Sequence, residues 1–292
     1  MLYSLVYGRL IAKAVDPIEK KPLFHFLPGT QAYSIATVGC NFRCLNCQNY
    51  DISQMPKPQK PVSGETVTPE EVVDSVKRYD CESIAYTYTE PTIFFEFAYE
   101  TAKLASKEGI KNVFITNGYM TEDALKAIAP HLDAANIDLK SFSDDFYRKV
   151  CGARLKPVLD TIKLCKELGI WIELTTLIIP GLNDSEDEFR RIADFMVRLD
   201  EGIPWHISRF FPAYKLLDLP VTSIETLELA RKIGLEAGLR YVYQGNIPWA
   251  GENTYCYKCG KLLVERRGYE VIHQSIEESS CPYCGAKIDG VW

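Results

Sequence analysis

The segment VGCNFRCLNCQNYD, residues 38–51, contains three closely spaced cysteines, Cys40, Cys44 and Cys47. A disulfide bond uses two thiols and a closed structural zinc site uses four ligands, so a set of three matches neither. Cysteine thiolates hold iron–sulfur clusters, and three at this spacing can bind three irons of a [4Fe–4S] cluster. The segment therefore predicts a cluster whose fourth iron is left open to bind and activate a substrate.

Two other interpretations of this segment remain on the residues alone. One is a [4Fe–4S] electron carrier whose fourth ligand is Cys81, Cys151 or Cys165, the cysteines scattered elsewhere in the chain. The other is a zinc site completed by a distant histidine. Apart from the first alternative, we expect the scattered cysteines to be small core or helix residues without a chemical role.

Outward from the segment, strand-like and helix-like stretches alternate through residues 31–246. Short apolar stretches rich in β-branched and aromatic residues predict six strands, at residues 33–39, 83–89, 112–117, 134–140, 171–179 and 205–211. Helical stretches between them imply parallel strands with right-handed crossovers. Such a chain folds as an open sheet or as a partial barrel, and it belongs to the α/β class in either case.

Capping signals mark the starts of the predicted helices. Thr68 and Glu71 have the spacing of a capping box, and Val72, Val73 and Val76 then define an inward face. Further N-caps are predicted at Thr121, Ser185 and Thr222.

Polar side chains follow the predicted strands at the points where they end. Cys40, Glu90 and Asn117 come at the ends of the first three strands, and Asp138 and Lys140 at the end of the fourth. Asp138 and Lys140 are two residues apart and should face the same side of the sheet. Ligands bind at the carboxyl ends of parallel strands, so these residues define the expected site.

A second group of cysteines lies in residues 248–292, where the helical pattern stops. Cys256, Cys259, Cys281 and Cys284 form two C-x-x-C-G units separated by 21 residues. Four thiolates match tetrahedral Zn²⁺, and so short a module needs a metal to hold its fold. We predict a zinc-ribbon or rubredoxin-like module that binds zinc, with a mononuclear iron site or two disulfides as alternatives.

The bulk composition excludes few classes of protein. The 292 residues are 47% hydrophobic with a net charge of −6, which gives no strong sign of nucleic-acid binding. No apolar run approaches the ~20 residues that span a bilayer. Arg9 and Lys13 interrupt the apolar start, unlike a signal peptide. Ten cysteines then indicate metal ligands or buried thiols, and we predict a cytoplasmic protein without a membrane partner.

The C-x-x-x-C-x-x-C segment after the first strand, together with the pattern of residues 33–246, resembles the radical S-adenosylmethionine (SAM) superfamily. The resemblance implies a partial (βα)₆ TIM-like barrel in which Cys40, Cys44 and Cys47 hold a [4Fe–4S] cluster and the open iron chelates SAM. It implies reductive cleavage of SAM to a 5′-deoxyadenosyl radical that abstracts hydrogen from a substrate. We divide the chain into an N-terminal extension (1–30), the barrel (31–247) and the four-cysteine module (248–292).

Further segments resemble glycyl-radical-activating enzymes such as pyruvate formate-lyase activase, namely TNG (116–118), DLK (138–140), IPGLND (179–184) and RFFPAY (209–214). The resemblance implies SAM contacts from Thr89, Glu90, Thr116, Asn117, Asp138, Lys140, Thr176 and Tyr214. Glu90 stands where the superfamily's Gly-Gly-Glu motif binds the SAM amino group. Lys140 would neutralise the SAM carboxylate, Asp138 would serve the same site, and Thr175 or Thr176 would reach the ribose.

The chain departs from the activase pattern at several positions. Asn46 replaces an aromatic residue between the last two cysteines, so Tyr50 or Phe42 is expected to stack near the adenine. Ile115 replaces an acid before TNG, and Tyr214 occupies the place of a histidine near SAM.

The chain as a whole resembles radical SAM proteins of the AmmeMemoRadiSam type. The resemblance rests on GCNFRCLNCQNYDISQ (39–54), YTYTEPTIFFE (86–96), SRFFPAYK (208–215), WAGENTYC (249–256) and CPYCG (281–285). Members carry an extra cysteine-rich segment ahead of LYSLVYG, so we expect either a shorter form or a truncated start.

Three functions follow from these interpretations. The first is a radical SAM enzyme that takes hydrogen from a protein, such as a glycyl radical enzyme, with ferredoxin or flavodoxin as the reductant. The second is radical SAM modification of a small molecule or RNA. The third, from another class, is a non-catalytic Fe–S electron carrier. Glu90, Asp138 and Lys140 count against the third, since a carrier needs no SAM pocket.

Overall fold

The computed structural model describes residues 4–55, 62–247 and 251–292. In these ranges the strands are β1 (Arg9–Pro17), β2 (Gln31–Thr37), β3 (Glu65–Thr66), β4 (Ser83–Tyr86), β5 (Lys111–Thr116), β6 (Ala134–Asp138), β7 (Trp171–Ile178), β8 (Trp205–Arg209), β9 (Val242–Gly245), β10 (Thr254–Tyr255), β11 (Leu262–Arg267) and β12 (Glu270–Gln274). The α-helices are α1 (Tyr50–Ser53), α2 (Pro69–Arg78), α3 (Phe95–Lys107), α4 (Glu122–Ile128), α5 (Asp144–Phe146), α6 (Leu155–Glu167), α7 (Glu186–Leu199) and α8 (Ile224–Ala237). None of these helices is long and apolar enough to cross a membrane.

The first nine strands form one sheet in the order β3-β1-β2-β4-β5-β6-β7-β8-β9. Strands β2 and β4 to β9 run parallel, whereas β1 pairs antiparallel with β2 and β3. The predicted α/β fold with a mostly parallel sheet is confirmed. Strand β9, with the sequence VYQG, was not predicted because four residues are too few to show a period.

The capping predictions hold at three of the four predicted starts. In the capping box, Glu71 N donates to Thr68 Oγ1 (3.2 Å) and Thr68 N donates to the Glu71 carboxylate (2.8 Å). Thr121 and Ser185 cap α4 and α7 as predicted. Thr222 does not cap α8: Ser223 does, because the Thr222 hydroxyl is buried and donates to a carbonyl of the sheet.

The second predicted strand ends earlier than its apolar pattern suggested. Strand β4 stops at Tyr86 instead of residue 89 because the chain turns sharply there. Tyr88 has a φ of +62°, and Thr89 N donates to Thr87 O (2.7 Å), a bond between residues two apart. Glu90 therefore lies in a turn above the strand end instead of in line with the strand.

One face of the sheet is covered by the N-terminal segment. Ala32, Ala85 and Ala134 leave room on this face, and Ile18 and Phe26 pack over them in a small core of their own. The predicted N-terminal extension thus supplies strand β1, which lies between β2 and the two-residue edge strand β3, and a segment that fills the face below the strand ends.

The C-terminal residues form the separate three-stranded sheet β10-β11-β12. Its buried residues Leu263 and Val264 share a core with Phe24, Tyr241 and Tyr243. The predicted boundary at residues 247 and 248 adjoins residues 248–250, which lie outside the described residues, as do Trp249 and Ala250 of the WAGENTYC segment.

Candidate functional site

A cavity of about 570 Å³ opens at the carboxyl ends of the parallel strands. This volume lies in the ~300–1,000 Å³ range of small-molecule sites. Nine of the predicted ligand residues line it: Cys40, Cys44, Cys47, Thr89, Glu90, Thr116, Asn117, Asp138 and Lys140. The fold therefore gathers these residues from four separate segments at the edge where ligands of parallel sheets bind.

The cysteine segment leaves strand β2 after Thr37 and is held by another part of the chain. Arg43 N donates to Cys151 O (2.8 Å) and Leu45 N donates to Val150 O (2.9 Å). Residues 147–151 form a short π-helical turn that follows α5. The three-cysteine loop is therefore anchored from outside itself, and its sulfurs are presented to the cavity.

The three sulfurs have different neighbours. Cys40 Sγ accepts from Phe42 N (3.4 Å) and from Asn117 Nδ2 (3.7 Å). Cys47 Sγ lies 3.2 Å from Ser53 Oγ. Burial raises the pKa of Cys40 to about 12. A buried thiol of this kind becomes a stable thiolate only when a positive centre such as iron compensates the charge.

Cys44 contacts Cys151, one of the three cysteines for which no role was expected. The Cys151 thiol donates to the Cys44 sulfur and lowers the pKa of Cys44 to about 7. Cys81 and Cys165 are buried and do not line the cavity. Of the three alternative fourth ligands, Cys151 alone therefore lies at the loop.

Glu90 is the most deeply buried acid of the cavity, with 2% of its surface exposed. One carboxylate oxygen accepts from Thr92 Oγ1 (2.6 Å) and Thr116 Oγ1 (2.7 Å), and the other accepts from Asn117 N (2.8 Å). These donors are all neutral, and burial raises the pKa of Glu90. A buried carboxylate without a cation is costly, so the geometry favours a positively charged ligand group at this position.

Tyr88 occupies a position where the superfamily motif carries glycine. Its φ of +62° is a backbone conformation that glycine adopts freely and tyrosine rarely does. The Tyr88 carbonyl accepts from Asn49 Nδ2 (2.8 Å) of the three-cysteine loop. The replacement of glycine therefore keeps the turn that positions Glu90, at a cost of about 1 kcal/mol or more.

Asp138 and Lys140 meet as predicted from their spacing. Lys140 Nζ lies 2.7 Å from Asp138 Oδ2, and both side chains line the cavity. Burial disfavours the charged lysine, but Asp138 and the sulfurs of Cys44 and Cys151 raise its pKa well above the ordinary value. Lys140 is therefore a positive group beside the three-cysteine loop.

Two of the predicted SAM contacts lie elsewhere. Thr176 is fully buried, where it donates to Leu139 O (2.8 Å) and accepts from Trp205 Nε1 (2.9 Å). Its neighbour Thr175 faces the cavity instead, because successive strand residues point to opposite faces. Tyr214 is outside the cavity lining and stacks on Tyr50, with ring centroids 4.7 Å apart.

Of the two residues expected to stack near the adenine, Phe42 lines the cavity and Tyr50 does not. Asn46, the unexplained residue of the loop, also lines the cavity.

A pair of lysines in the N-terminal segment also lines the cavity, and the sequence analysis missed it. Lys20 and Lys21 both pair with Asp16, each at 2.7 Å. Lys21 Nζ lies 4.5 Å from the centre of the Tyr88 ring. The signal in the sequence was the adjacent pair of lysines in the segment DPIEKKPLF, residues 16–24.

The four cysteines of the C-terminal module form a second site, which is built from two similar turns. The sulfurs of Cys256, Cys259, Cys281 and Cys284 all lie within 4.8 Å of one another. Gly260 N and Gly285 N donate to the carbonyls of the first cysteine in each C-x-x-C-G unit, at 2.8 and 2.9 Å. Both glycines have a φ of +70°, which explains their place after the second cysteine. The predicted four-cysteine cluster is therefore present.

A family model and several known proteins match this chain. The profile of the Radical SAM superfamily matches residues 34–196. An uncharacterized protein of Methanocaldococcus jannaschii is 52% identical over 293 residues, which cover 99% of this chain and 86% of that protein. The pyruvate formate-lyase-activating enzyme of Clostridium pasteurianum is 26% identical over 214 residues, which cover 69% of this chain and 87% of the enzyme.

A solved structure adds a likeness of fold. The crystal structure of Streptococcus suis SuiB bound to S-adenosylmethionine gives a TM-score of 0.58 at 12% identity, covering 78% of this chain and 52% of that chain.

Proposed function

The chain belongs to the radical SAM superfamily, and we propose on this premise that its cavity binds a [4Fe–4S] cluster and SAM and abstracts hydrogen from a substrate. We also propose that the sheet and its helices form a partial barrel, with the domain divisions given above. The C-terminal module would be zinc-ribbon-like and would hold Zn²⁺ or iron. When bound, the reduced cluster and SAM supply a 5′-deoxyadenosyl radical. The side chains of the cavity bind, orient and shield these groups.

The donor set fits a cluster with one open iron. Cys40, Cys44 and Cys47 lie on one loop that faces the cavity, and among the described residues their sulfurs do not gather within 4.8 Å of one another as the four C-terminal ones do. A cluster needs this wider separation because its ligands bind different irons. Asn117 and Ser53 would remain as hydrogen-bond donors to the sulfurs.

The single observation that carries SAM binding is the buried Glu90 carboxylate with neutral partners only. An ammonium group beside it would compensate the buried charge, and SAM has both an amino group and a sulfonium. Lys140 would neutralise the SAM carboxylate, and Thr175, which faces the cavity, replaces Thr176 as the proposed ribose contact.

The chemistry of the substrate is the finer part of the proposal. Similarity to the activating enzymes supports hydrogen abstraction from a protein such as a glycyl radical enzyme, with ferredoxin or flavodoxin as the electron donor. A small molecule is the second candidate, because Lys20, Lys21 and Tyr269 add polar groups to the cavity wall that come from outside the parallel sheet. Ten free cysteines support a reducing, cytoplasmic location.

The test is the formation of 5′-deoxyadenosine. The protein is reconstituted anaerobically with iron and sulfide, reduced with dithionite and given SAM, and 5′-deoxyadenosine and methionine are quantified. We expect both products from the natural chain and from Cys165→Ala, a matched control in α6, and neither from Cys44→Ala. A reconstituted cluster that yields no 5′-deoxyadenosine would contradict the proposal and favour an electron carrier.

A further inference from the structure

Lys21 is a buried cation in the wall of the proposed SAM cavity. Only 2% of the residue is exposed, and it lines the cavity together with Lys20, Tyr88 and Ser208. It comes from the segment between β1 and β2, outside the run of strands that carries the predicted SAM contacts. Buried lysines are rare in proteins, so this one requires a physical reason.

The charges around Lys21 are unevenly matched. Asp16 receives Lys20 on one oxygen and Lys21 on the other, each at 2.7 Å, and the hydroxyls of Ser34 and Tyr88 also donate to it. One carboxylate therefore serves two ammonium groups. Asp138 is matched by Lys140, and Glu90 is assigned to the SAM amino group, so one positive charge beside Asp16 is left to face the cavity.

Lys21 lies further from the carboxyl ends of the strands than the predicted SAM contacts do. Its partner Asp16 is held by Ser34, three residues before the end of β2 at Thr37, or about 10 Å below that end. Glu90 and Asn117 lie beyond the ends of their strands. Lys21 thus faces the part of the cavity that lies under the residues assigned to SAM.

Tyr88 forms part of the turn that positions Glu90 and also contacts the pair formed by Asp16 and Lys21. Its backbone forms the turn that positions Glu90, while its hydroxyl donates to Asp16 and its ring lies 4.5 Å from Lys21 Nζ. A glycine would form the same turn without strain, so the side chain has a use of its own. The contacts identify that use as fixing the position of Asp16 and Lys21.

We propose that Lys21, assisted by Lys20, binds an anionic group of the hydrogen-donating substrate, a carboxylate or a phosphate, beneath the SAM site. The inference rests on the proposed function and names the chemical class of its substrate. Burial lowers the pKa of Lys21 to about 8, and the hydrogen bond to Asp16 opposes this shift. A bound anion completes the compensation and fixes the substrate by charge-assisted hydrogen bonds.

The test measures anion binding by the full chain after anaerobic reconstitution. Inorganic phosphate and, separately, acetate are titrated at constant ionic strength, and dissociation constants are taken from the rise in melting temperature. We expect saturable binding of at least one anion, which identifies the group. Lys21→Met should weaken it about tenfold, as expected for loss of one charged hydrogen bond. The control Lys77→Met, which removes an exposed ion pair with Glu108, should leave it unchanged.

Two results would overturn the inference: no saturable binding of either anion to the natural chain, or equal binding by Lys21→Met. If Lys21→Met does not fold, Lys20→Met decides, since Lys20 is 43% exposed at its side chain and can be replaced without a buried cavity. We expect threefold weaker binding from it, and unchanged binding rejects the site. Formation of 5′-deoxyadenosine by the same samples, measured without added anion, reports separately on the proposed function.

Discussion

The two cysteine sites of this chain differ in what brings their sulfurs together. In the C-terminal module, two C-x-x-C-G turns with the same backbone hydrogen bonds place four sulfurs within 4.8 Å. In the three-cysteine loop, Cys44 contacts Cys151 and Cys40 contacts Asn117. Both partners belong to distant parts of the chain.

This difference separates a closed structural site from an open chemical one. Four converging thiolates satisfy a tetrahedral metal and leave no position for a substrate. Under the proposed function, three thiolates on the loop that lines the cavity would hold a cluster and leave one of its irons without a protein ligand, in a cavity that Glu90 and Lys140 also line. The first arrangement draws its four ligands from the C-terminal module alone, whereas the second draws its lining from several segments of the parallel sheet.

Loss of one thiolate from the open site should have the largest effect. We expect Cys47→Ala to abolish the [4Fe–4S] cluster and 5′-deoxyadenosine formation, because only two of the three thiolates that hold the cluster would remain. The metal of the C-terminal module should stay in full. Iron, sulfide and zinc per chain, measured with Cys165→Ala as the control, check this, and a fully retained cluster in Cys47→Ala would remove the distinction between the sites.

The reciprocal change tests the closed site. Cys259→Ala should release the C-terminal metal, whose binding contributes folding free energy on the order of 10 kcal/mol in small zinc modules. We expect faster proteolysis within residues 251–292 and an unchanged content of cluster iron, since the three-cysteine loop is anchored on residues 147–151. Equal loss of both metals would mean that the two sites do not fold independently.

The contact between the parallel sheet and the C-terminal module, where His25 lies, should make the stability of the fold depend on pH. His25 is fully buried there. Its Nδ1 lies 2.6 Å from Asp289 O and its Nε2 lies 2.5 Å from the Tyr243 hydroxyl, and Glu173, Arg266 and His206 are further charged or titratable neighbours. Burial lowers the pKa of His25 to about 4, although Glu173 opposes the shift. The unfolded chain therefore binds a proton between about pH 6.5 and pH 4 that the folded chain excludes.

The free energy of unfolding should then be highest above pH 6.5 and fall as the pH drops to 4, by at most about 3 kcal/mol from His25. Chemical denaturation at several pH values measures the slope. His25→Gln should flatten it and His273→Gln, an exposed change on β12, should not. A slope that is the same in all three proteins would reject this role for His25.

The smallest effect concerns ligand affinity at the open site. Glu90→Gln keeps the shape of the side chain and removes its charge, so SAM should bind about 10-fold to 100-fold more weakly, as expected for loss of a charged hydrogen bond. The cluster should still form because the cysteines are unchanged. Equilibrium binding of SAM measures this, with the exposed Glu96→Gln on α3 as the matched control.

Local signals in the sequence carried over to the structure. The cysteine spacings, the Thr68 capping box and the order of strands and helices are set by residues a few positions apart, and all are found in the fold. The predicted ends of the strands were less accurate. The end of β4, for example, depends on the turn at Tyr88, whose backbone conformation is not one that a tyrosine in the sequence indicates.

Non-local features could not be predicted in the same way. Thr175 and Thr176 adjoin in a strand covered on both faces, so no polar alternation shows which of them faces the cavity. Cys151 and Lys21 reach the site from segments about 100 and 20 residues away from the cysteines, and only the folded chain brings them there. Cys151 is buried, as expected of a core residue, and its contact with Cys44 is visible only in the folded chain.

The open fourth iron is the central claim, and the EPR spectrum of the reduced cluster tests it most directly. The spectrum is recorded with and without SAM for the natural chain and for Cys151→Ala, which removes the thiol beside Cys44. We predict that SAM changes the spectrum of both proteins, because it binds an iron that carries no protein ligand. A spectrum that SAM leaves unchanged in the natural chain, and that changes only in Cys151→Ala, would show that Cys151 closes the cluster and would contradict the account.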